Sequence, residues 1–175
     1  MINVVPQHLI NCELYIDGER EPSGVASIDL PEINFLSTEV KGAGILGTYD
    51  SSVLGHVEAL ESTIHCRTLR KDSAALMQQK KAFMLSAYGA TQVYDSATGE
   101  LGVEPVRCDM RCLPKSFKPG KFEPGEQTET EVVVTVDYIK ITVDGSVALE
   151  LVVFNYIYNV NGVDMLSDLR AALGF

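Results

Sequence analysis

Apolar and polar residues alternate with a period of two along most of this chain, the spacing of half-buried β-strands. In residues 25–30, Val25, Ser27 and Asp29 oppose Ala26, Ile28 and Leu30, and after Pro31 a second extended run covers 34–40. These two runs are expected to pair as a long hairpin. Further strands are expected over 52–68, 82–94, 101–113, 128–143 and 147–154, with a short one at Leu14-Tyr15-Ile16. Asp17-Gly18, the run 96–99 and Asp144-Gly145 are turn signals, because Gly and Asp tolerate the backbone of tight hairpins. Pro105 points to a sheet edge or a bulge, since it lacks the N–H that a central ladder needs. The run 128–143 is rich in β-branched residues. Its phase slips at Val136-Asp137: Val132, Val134 and Val136 share one face, while Ile139, Ile141 and Val143 share the other. Either both faces are buried there or a bulge shifts the register.

Helical spacing appears twice. Leu69, Ala75 and Leu76 predict a helix over 69–80 that ends on Lys80-Lys81. Leu166, Leu169 and Leu173 predict a short C-terminal one, with Asp164 as its N-cap, Arg170 near its negative end and Gly174 closing it. Three glycines in the run 41–47 forbid regular structure, and the loop over 37–55 is long enough to dock on a partner. Residues 115–127 read as a polar loop. The sum is a mainly β chain (α+β minor), an antiparallel β-sandwich or barrel-like fold with one flanking helix and a short C-terminal helix. It is expected to form one domain over 1–175, with a projecting hairpin and loop at about 25–55.

Composition narrows the function. With 175 residues, 46% hydrophobic, the chain is long enough for a core without a staple. Its net charge of -10 argues against a protein that grips nucleic acid through phosphates. The four cysteines, Cys12, Cys66, Cys108 and Cys112, lack metal-site spacing and read as reduced, buried thiols. Residues 1–10 lack the basic stretch and apolar run of a signal peptide, so a soluble cytosolic product is expected. His8, His56 and His65 form no metal motif, and Asp17, Asp29, Asp137 and Asp144 offer no preferred acid–base pair. Gly42-Ala43-Gly44 with Gly47 lacks the Lys-Ser/Thr ending of a phosphate loop. No catalytic, cofactor-binding or metal site is expected. Arg67, Arg70, Lys71 and Lys80-Lys81 read either as a solvated face or as a charged contact to a neighbouring acidic subunit.

Four stretches carry a resemblance. They are Val5-Pro6-Gln7-x-Leu9-x-Asn11 with Leu14-Tyr15-Ile16-Asp17-Gly18; Ile28-x-Leu30-Pro31-x-Ile33 leading to Gly42-Ala43-Gly44-Ile45-x-Gly47; Tyr138-x-Lys140-Ile141-x-Val143-Asp144-Gly145; and Asn155, then 160–174 with Asn161-Gly162-Val163-Asp164, Leu166, Arg170 and Leu173-Gly174. Together, and in this order, the chain resembles the major tail tube proteins of contractile P2-type phage tails and the tube subunits of R-type bacteriocins. It departs from that pattern at Ala43, Ile45 and Val152-Val153. The resemblance implies a non-enzymatic structural subunit that forms homohexameric rings, stacked into a tube inside a sheath. Expected partners are the tail sheath protein, baseplate and tape-measure proteins, with DNA passing through the lumen without specific binding, or a tube used for membrane puncture. The expected location is the virion tail, assembled in the bacterial host cytoplasm. Contacts between copies are expected at Pro6, Gln7, Pro31, Gly42, Gly44, Gly47, Asp164 and Arg170, and an acidic lumen would repel DNA phosphates. The alternatives are a bacteriocin or secretion-type tube, or a capsid or baseplate accessory protein.

Overall fold

A computed structural model of the chain describes residues 4–20 and 25–174. In chain order these form β1 (Val4–Ile16), β2 (Glu19–Arg20), β3 (Val25–Asp29), β4 (Phe35–Val40), β5 (Tyr49–Val57), β6 (Leu60–Cys66), α1 (Lys71–Ala75), β7 (Phe83–Asp95), β8 (Glu100–Lys118), β9 (Thr130–Val143), β10 (Ser146–Val152), β11 (Ile157–Val160), β12 (Val163–Asp164) and α2 (Ser167–Leu173). The strands are antiparallel throughout. One sheet runs β12-β11-β10-β9-β8-β7-β1-β2, with β6 and β3 branching from β9, and β4-β5 stand apart as a hairpin.

The branch at β9 makes the two layers. One edge of β9 pairs with β8. On the other edge, residues 130–136 pair with β6 and residues 138–143 pair with β10. The fork lies at Asp137, the extra residue of a bulge: Arg111 pairs with Tyr138, and Cys112 with Val136. The slip in the sequence pattern is therefore a bulge, which passes the buried positions from Val132, Val134 and Val136 to Ile139. Leu60 and Ile64 of β6 meet Leu85, Met110 and Cys112 of β7 and β8 in one core. The Ser62 hydroxyl, buried with them, donates to the Asp29 carbonyl at 2.7 Å and ties β6 to β3.

Tight turns sit where Gly pairs predict them. Asp17-Gly18, Asp144-Gly145 and Asn161-Gly162 all have positive φ at both residues, the primed geometry that suits the twist of two-residue hairpins. Pro105 lies where β8 runs past the end of β9. Its carbonyl accepts the Asp144 N–H at 2.9 Å, so the proline nitrogen faces the same side, where no ladder continues.

Several expectations need correction. The run 25–30 pairs with β6, not with 34–40; the hairpin is β4-β5. The extended run 52–68 breaks at Glu58-Ala59 into two strands that join different sheets. The helix expected over 69–80 shrinks to the five residues of α1. Leu76 and Met77 pack on the core, but the polar run that follows gives a longer helix no surface to bury, and short helices need packing. The strand expected to stop at residue 113 continues to Lys118, which shortens the polar loop. Asp164 is not the N-cap of α2; Leu166 occupies that place.

Candidate assembly surface

Two parts of the chain reach beyond the core. The first is a three-stranded extension built from residues 4–11 of β1, 90–95 of β7 and 100–105 of β8. Two bulges in β1, at Gln7 and Ile10, adjust its register against β7. Strand alternation assigns its faces. Leu101 and Val103 stand on one face with Tyr94 and Val5; Leu9 and Val93 stand on the other. Leu101 and Val103 are 65% and 63% exposed, and Leu9 is also exposed. Exposed apolar side chains therefore stand on both faces of this sheet among polar ones, so neither face is the purely polar side usual for a solvent-facing sheet.

The same extension has two open edges among the described residues. The outer edge of β1 pairs only at Tyr15 and Ile16, with β2. The outer edge of β8 meets β9 only from Val106 onward. Open edges invite pairing with another chain.

The second projection is the β4-β5 hairpin. All six residues of β4 are exposed, and the tip carries Ile45, fully exposed Leu46 and Tyr49. Its base is held. Phe35 meets Tyr158 edge to face at 5.7 Å, the Glu58 N–H donates to the Asn34 carbonyl at 2.8 Å, and Gly55 lies against Leu166 and Leu169 of the C-terminal segment. An open cleft of about 250 Å³ between this base and residues 151–158 is lined by Phe35, Val57, Phe154 and Leu166.

The contact candidates fall on three elements. Pro6 and Gln7 are exposed on β1, where Gln7 Oε1 accepts from Gln92 Nε2 at 2.6 Å. Gly42, Gly44 and Gly47 occupy the hairpin tip, exposed, with open space where a Cβ would stand. Pro31 is buried within the subunit, between β3 and β4. Asp164 and Arg170 meet each other in an ion pair. Arg170 Nη1 also donates to the Tyr156 carbonyl at 2.7 Å, and Asp164 Oδ1 accepts the Leu166 N–H at 3.0 Å. The Arg170 hydrogen bond, then the Leu166 N–H, hold the Asp164 carboxyl below its usual range. This pair seats α2 on the β10-β11 end of the sheet.

Sequence reasoning did not offer Val4, Leu9, Leu101, Val103 or Leu46 as contact residues. The two β1 bulges break the alternation that marks a strand in 4–11, and Leu101 and Val103 entered only as part of the strand expected over 101–113. Cys66, Cys108 and Cys112 are buried, and Cys12 is half-buried. Burial pushes the Cys108 and Cys112 thiols up to about 12, which leaves them unreactive. Among the described residues no three His, Cys, Asp or Glu side chains converge on a point where they could share a metal ion.

Comparisons with known proteins agree with this architecture. The family model for phage tail tube protein FII matches residues 6–174. A major tail tube protein of Serratia phage KSP20 is 22% identical over 171 residues, 97% of each chain. The tail tube protein of Escherichia phage P2 is 38% identical over 78 residues, 44% of each chain. A chain from the cryo-EM structure of an extracellular contractile injection system, PVC sheath/tube terminator in extended state, superposes with a TM-score of 0.54 at 13% identity, covering 79% of this chain and 97% of that one.

Proposed function

The chain belongs to the phage tail tube protein FII family, and we propose that it is a non-enzymatic structural subunit whose working form is a tube of stacked homohexameric rings inside a contractile sheath. The observation that carries this reading is surface. The subunit exposes 11482 Å², whereas a compact folded monomer of its mass exposes roughly 8,400 Å² by the usual scaling of area with mass. The excess, roughly 3,000 Å², is the size of an obligate interface. Many of the large apolar residues left exposed lie on two elements that need cover, the three-stranded extension and the β4-β5 hairpin.

Each feature takes a role. The open edges of β1 and β8 join the extension to neighbouring copies around a ring, which removes exposed edges as barrel closure does. The hairpin, with Gly42, Gly44 and Gly47 permitting close backbone approach at its tip, reaches an adjacent subunit or ring. Pro6 and Gln7 lie within the joined edge. The Asp164–Arg170 pair and Pro31 act from within the subunit, fixing α2 and the root of the hairpin. A head-to-tail contact that closes at six and repeats along an axis gives an open polymer. Its partners are the tail sheath, baseplate and tape-measure proteins, its place is the tail of a phage or phage-like particle assembled in the host cytoplasm, and its lumen passes DNA or serves membrane puncture.

Electron microscopy of the purified, concentrated protein, alone and with its sheath and baseplate proteins, tests this reading. Stacked six-fold annuli are expected. Strictly monomeric particles under all these conditions would refute it.

A further inference from the structure

Most cations of this chain are held by carboxylates of the same subunit. Among the described residues, the Lys and Arg side chains outside any ion pair are Arg67, Lys71, Lys80, Lys81 and Lys140. All but Lys140 lie on one connection, residues 67–82, and all four are exposed there. The connection leads from the end of β6 through α1 to the start of β7, so it closes one end of the two layers. It walls an open cleft of about 470 Å³ with Ile16, Glu19, Arg20 and Phe83. The other carboxylates on this cleft are engaged: Asp72 lies 3.8 Å from Arg70, and Asp17 Oδ1 accepts the Met84 N–H at 2.9 Å.

The thirteen residues of β7 carry the chain from this connection to the other end of the sheet, roughly 40 Å away. There the extension has Asp95, Glu100 and Glu104, and no Lys or Arg over 4–11 and 90–105. Asp95 and Glu100 are direct cross-strand partners, a like-charge pairing that costs stability in the free subunit. The unbroken register of β7 and β8 puts all three carboxylates on the face that carries Cys108 and Met110, which are buried in the core further along. On the extension the same face includes Leu9, opposite Thr91 and 55% exposed. It is an apolar patch bordered by carboxylates.

Resting on the tube reading above, we propose that the connection 67–82 is the docking site for the acidic end of the extension of a second copy in the next ring. Asp95, Glu100 and Glu104 of one copy meet Lys71, Lys80 and Lys81 of the other, and Leu9 meets exposed Leu69 and half-buried Leu76. Each patch lacks its counter-charge, and the chain carries the complement at its opposite end. Patches at the two ends of one sheet cannot meet within a subunit, so they meet only between copies. A contact of one end with the other is the head-to-tail kind that repeats along an axis, and it leaves the edges of β1 and β8 free to close the ring. Subunits of net charge -10 repel one another. A local attraction at the stacking face offsets that repulsion, fixes register and speeds the encounter. Of the two readings of the cationic run, a solvated face or a contact to a neighbouring acidic subunit, the second gains its partner surface.

Charge reversal at the two ends tests the pairing. Lys71→Glu/Lys80→Glu reverses two exposed members of the cluster. It spares Arg67, whose carbonyl accepts the Thr128 N–H from the loop that carries Glu126 and Glu129, and Lys81, which also borders the depression on the far face of the sheet. Glu100→Lys/Glu104→Lys reverses the other side and relieves the Asp95–Glu100 repulsion, so the free subunit should melt no lower than wild type. Each double variant is expected to raise the concentration needed for polymerisation by roughly tenfold or more, because like charges then face each other across the contact. The quadruple variant, reversed at both ends, is expected to return towards the wild-type threshold. Sedimentation of polymer across a concentration series gives the threshold, and a thermal melt of each unassembled variant checks its fold. Where a reversal lowers the melt, Lys71→Gln/Lys80→Gln and Glu100→Gln/Glu104→Gln are read the same way, with smaller shifts. A wild-type threshold in either double variant overturns the docking assignment, as does a quadruple variant that melts like wild type yet assembles no better than the doubles; both outcomes leave the tube reading intact. Absence of tubes from the wild-type protein, even with its sheath and baseplate proteins, overturns the tube reading and this pairing with it.

Discussion

Leu101 offers the sharpest separation of folding from assembly. It is 65% exposed on the apolar extension, past the end of β9, so its side chain contributes little to the core. Fully burying a leucine stabilises by roughly 1.5–3 kcal/mol. About two-thirds of that remains to be gained when a neighbouring copy covers Leu101, or roughly 1–2 kcal/mol per contact. Leu101→Ala removes most of this, and since 1.4 kcal/mol corresponds to a factor of ten, the concentration needed for polymerisation should rise by about tenfold. Leu101→Asp adds the cost of desolvating a carboxylate in an apolar contact and should abolish polymerisation. Folding should barely respond, because surface changes away from special features stay within about 0.5 kcal/mol. The assay pairs sedimentation of polymer across a concentration series with a thermal melt of the unassembled subunit. If Leu101→Asp assembles at the wild-type threshold, the extension is not an interface. If it melts far below wild type, the residue belongs to the folding core and the partition argued here is wrong.

Other positions give independent tests. A Cβ at Gly120 would lie 1.8 Å from the Thr128 carbonyl oxygen, at a positive φ, so Gly120→Ala should cost roughly 2–4 kcal/mol in urea unfolding, through backbone displacement and strain. Met110 is fully buried in the core, and Met110→Ala should cost roughly 2–5 kcal/mol by the same measurement. In native protein at mildly alkaline pH, a thiol reagent should modify Cys12 first and leave Cys66, Cys108 and Cys112 untouched, with all four reacting after denaturation; fast reaction of Cys108 in the native state would contradict its burial. The Asp164 carboxyl is held below its ordinary 3.8, so its stabilising effect is complete above that value and is lost as pH falls through the lower folded value. Protection of the α2 amides, measured against the intrinsic exchange rate at each pH, should therefore fall on the acid side of 3.8 in wild type, and Asp164→Asn should show low protection already at neutral pH with no such acid step.

How much of this was legible in the sequence depended on whether the deciding interaction was local. Asp17-Gly18 and Asp144-Gly145 announce their hairpins because a two-residue turn is set by its own backbone. The slip at Val136-Asp137 was readable as a bulge or a doubly buried strand, and only pairing with β8, β6 and β10 decides between them. Partner choice was not legible: residues 25–30 and 34–40 are adjacent and both extended, yet β3 pairs with β6 across a long connection. The helix over 69–80 failed because its apolar residues supply little more than one turn against the core. Among the contact candidates, Asp164 was read as the cap of α2, yet Leu166 takes that place and Asp164 pairs with Arg170 instead; the burial of Pro31 is likewise a tertiary fact.

Leu101 and Val103 show the deeper limit. In the sequence they are, like Met110 and Cys112, apolar residues two apart on the same long strand, though on its other face. In the fold, Met110 and Cys112 stand on the face of β8 that packs into the core, while Leu101 and Val103 stand on its opposite face, past the end of β9 and exposed. Hydrophobic pattern records that a side chain is to be covered but not by which chain. Where the subunit's own residues supply the cover, the pattern reads as core; where they do not, the same pattern marks the surface that another copy must fill. The roughly 3,000 Å² of surplus area and the two-faced apolar extension are thus one fact seen twice, and the experiments on Leu101 probe it at the residue where the two descriptions must agree.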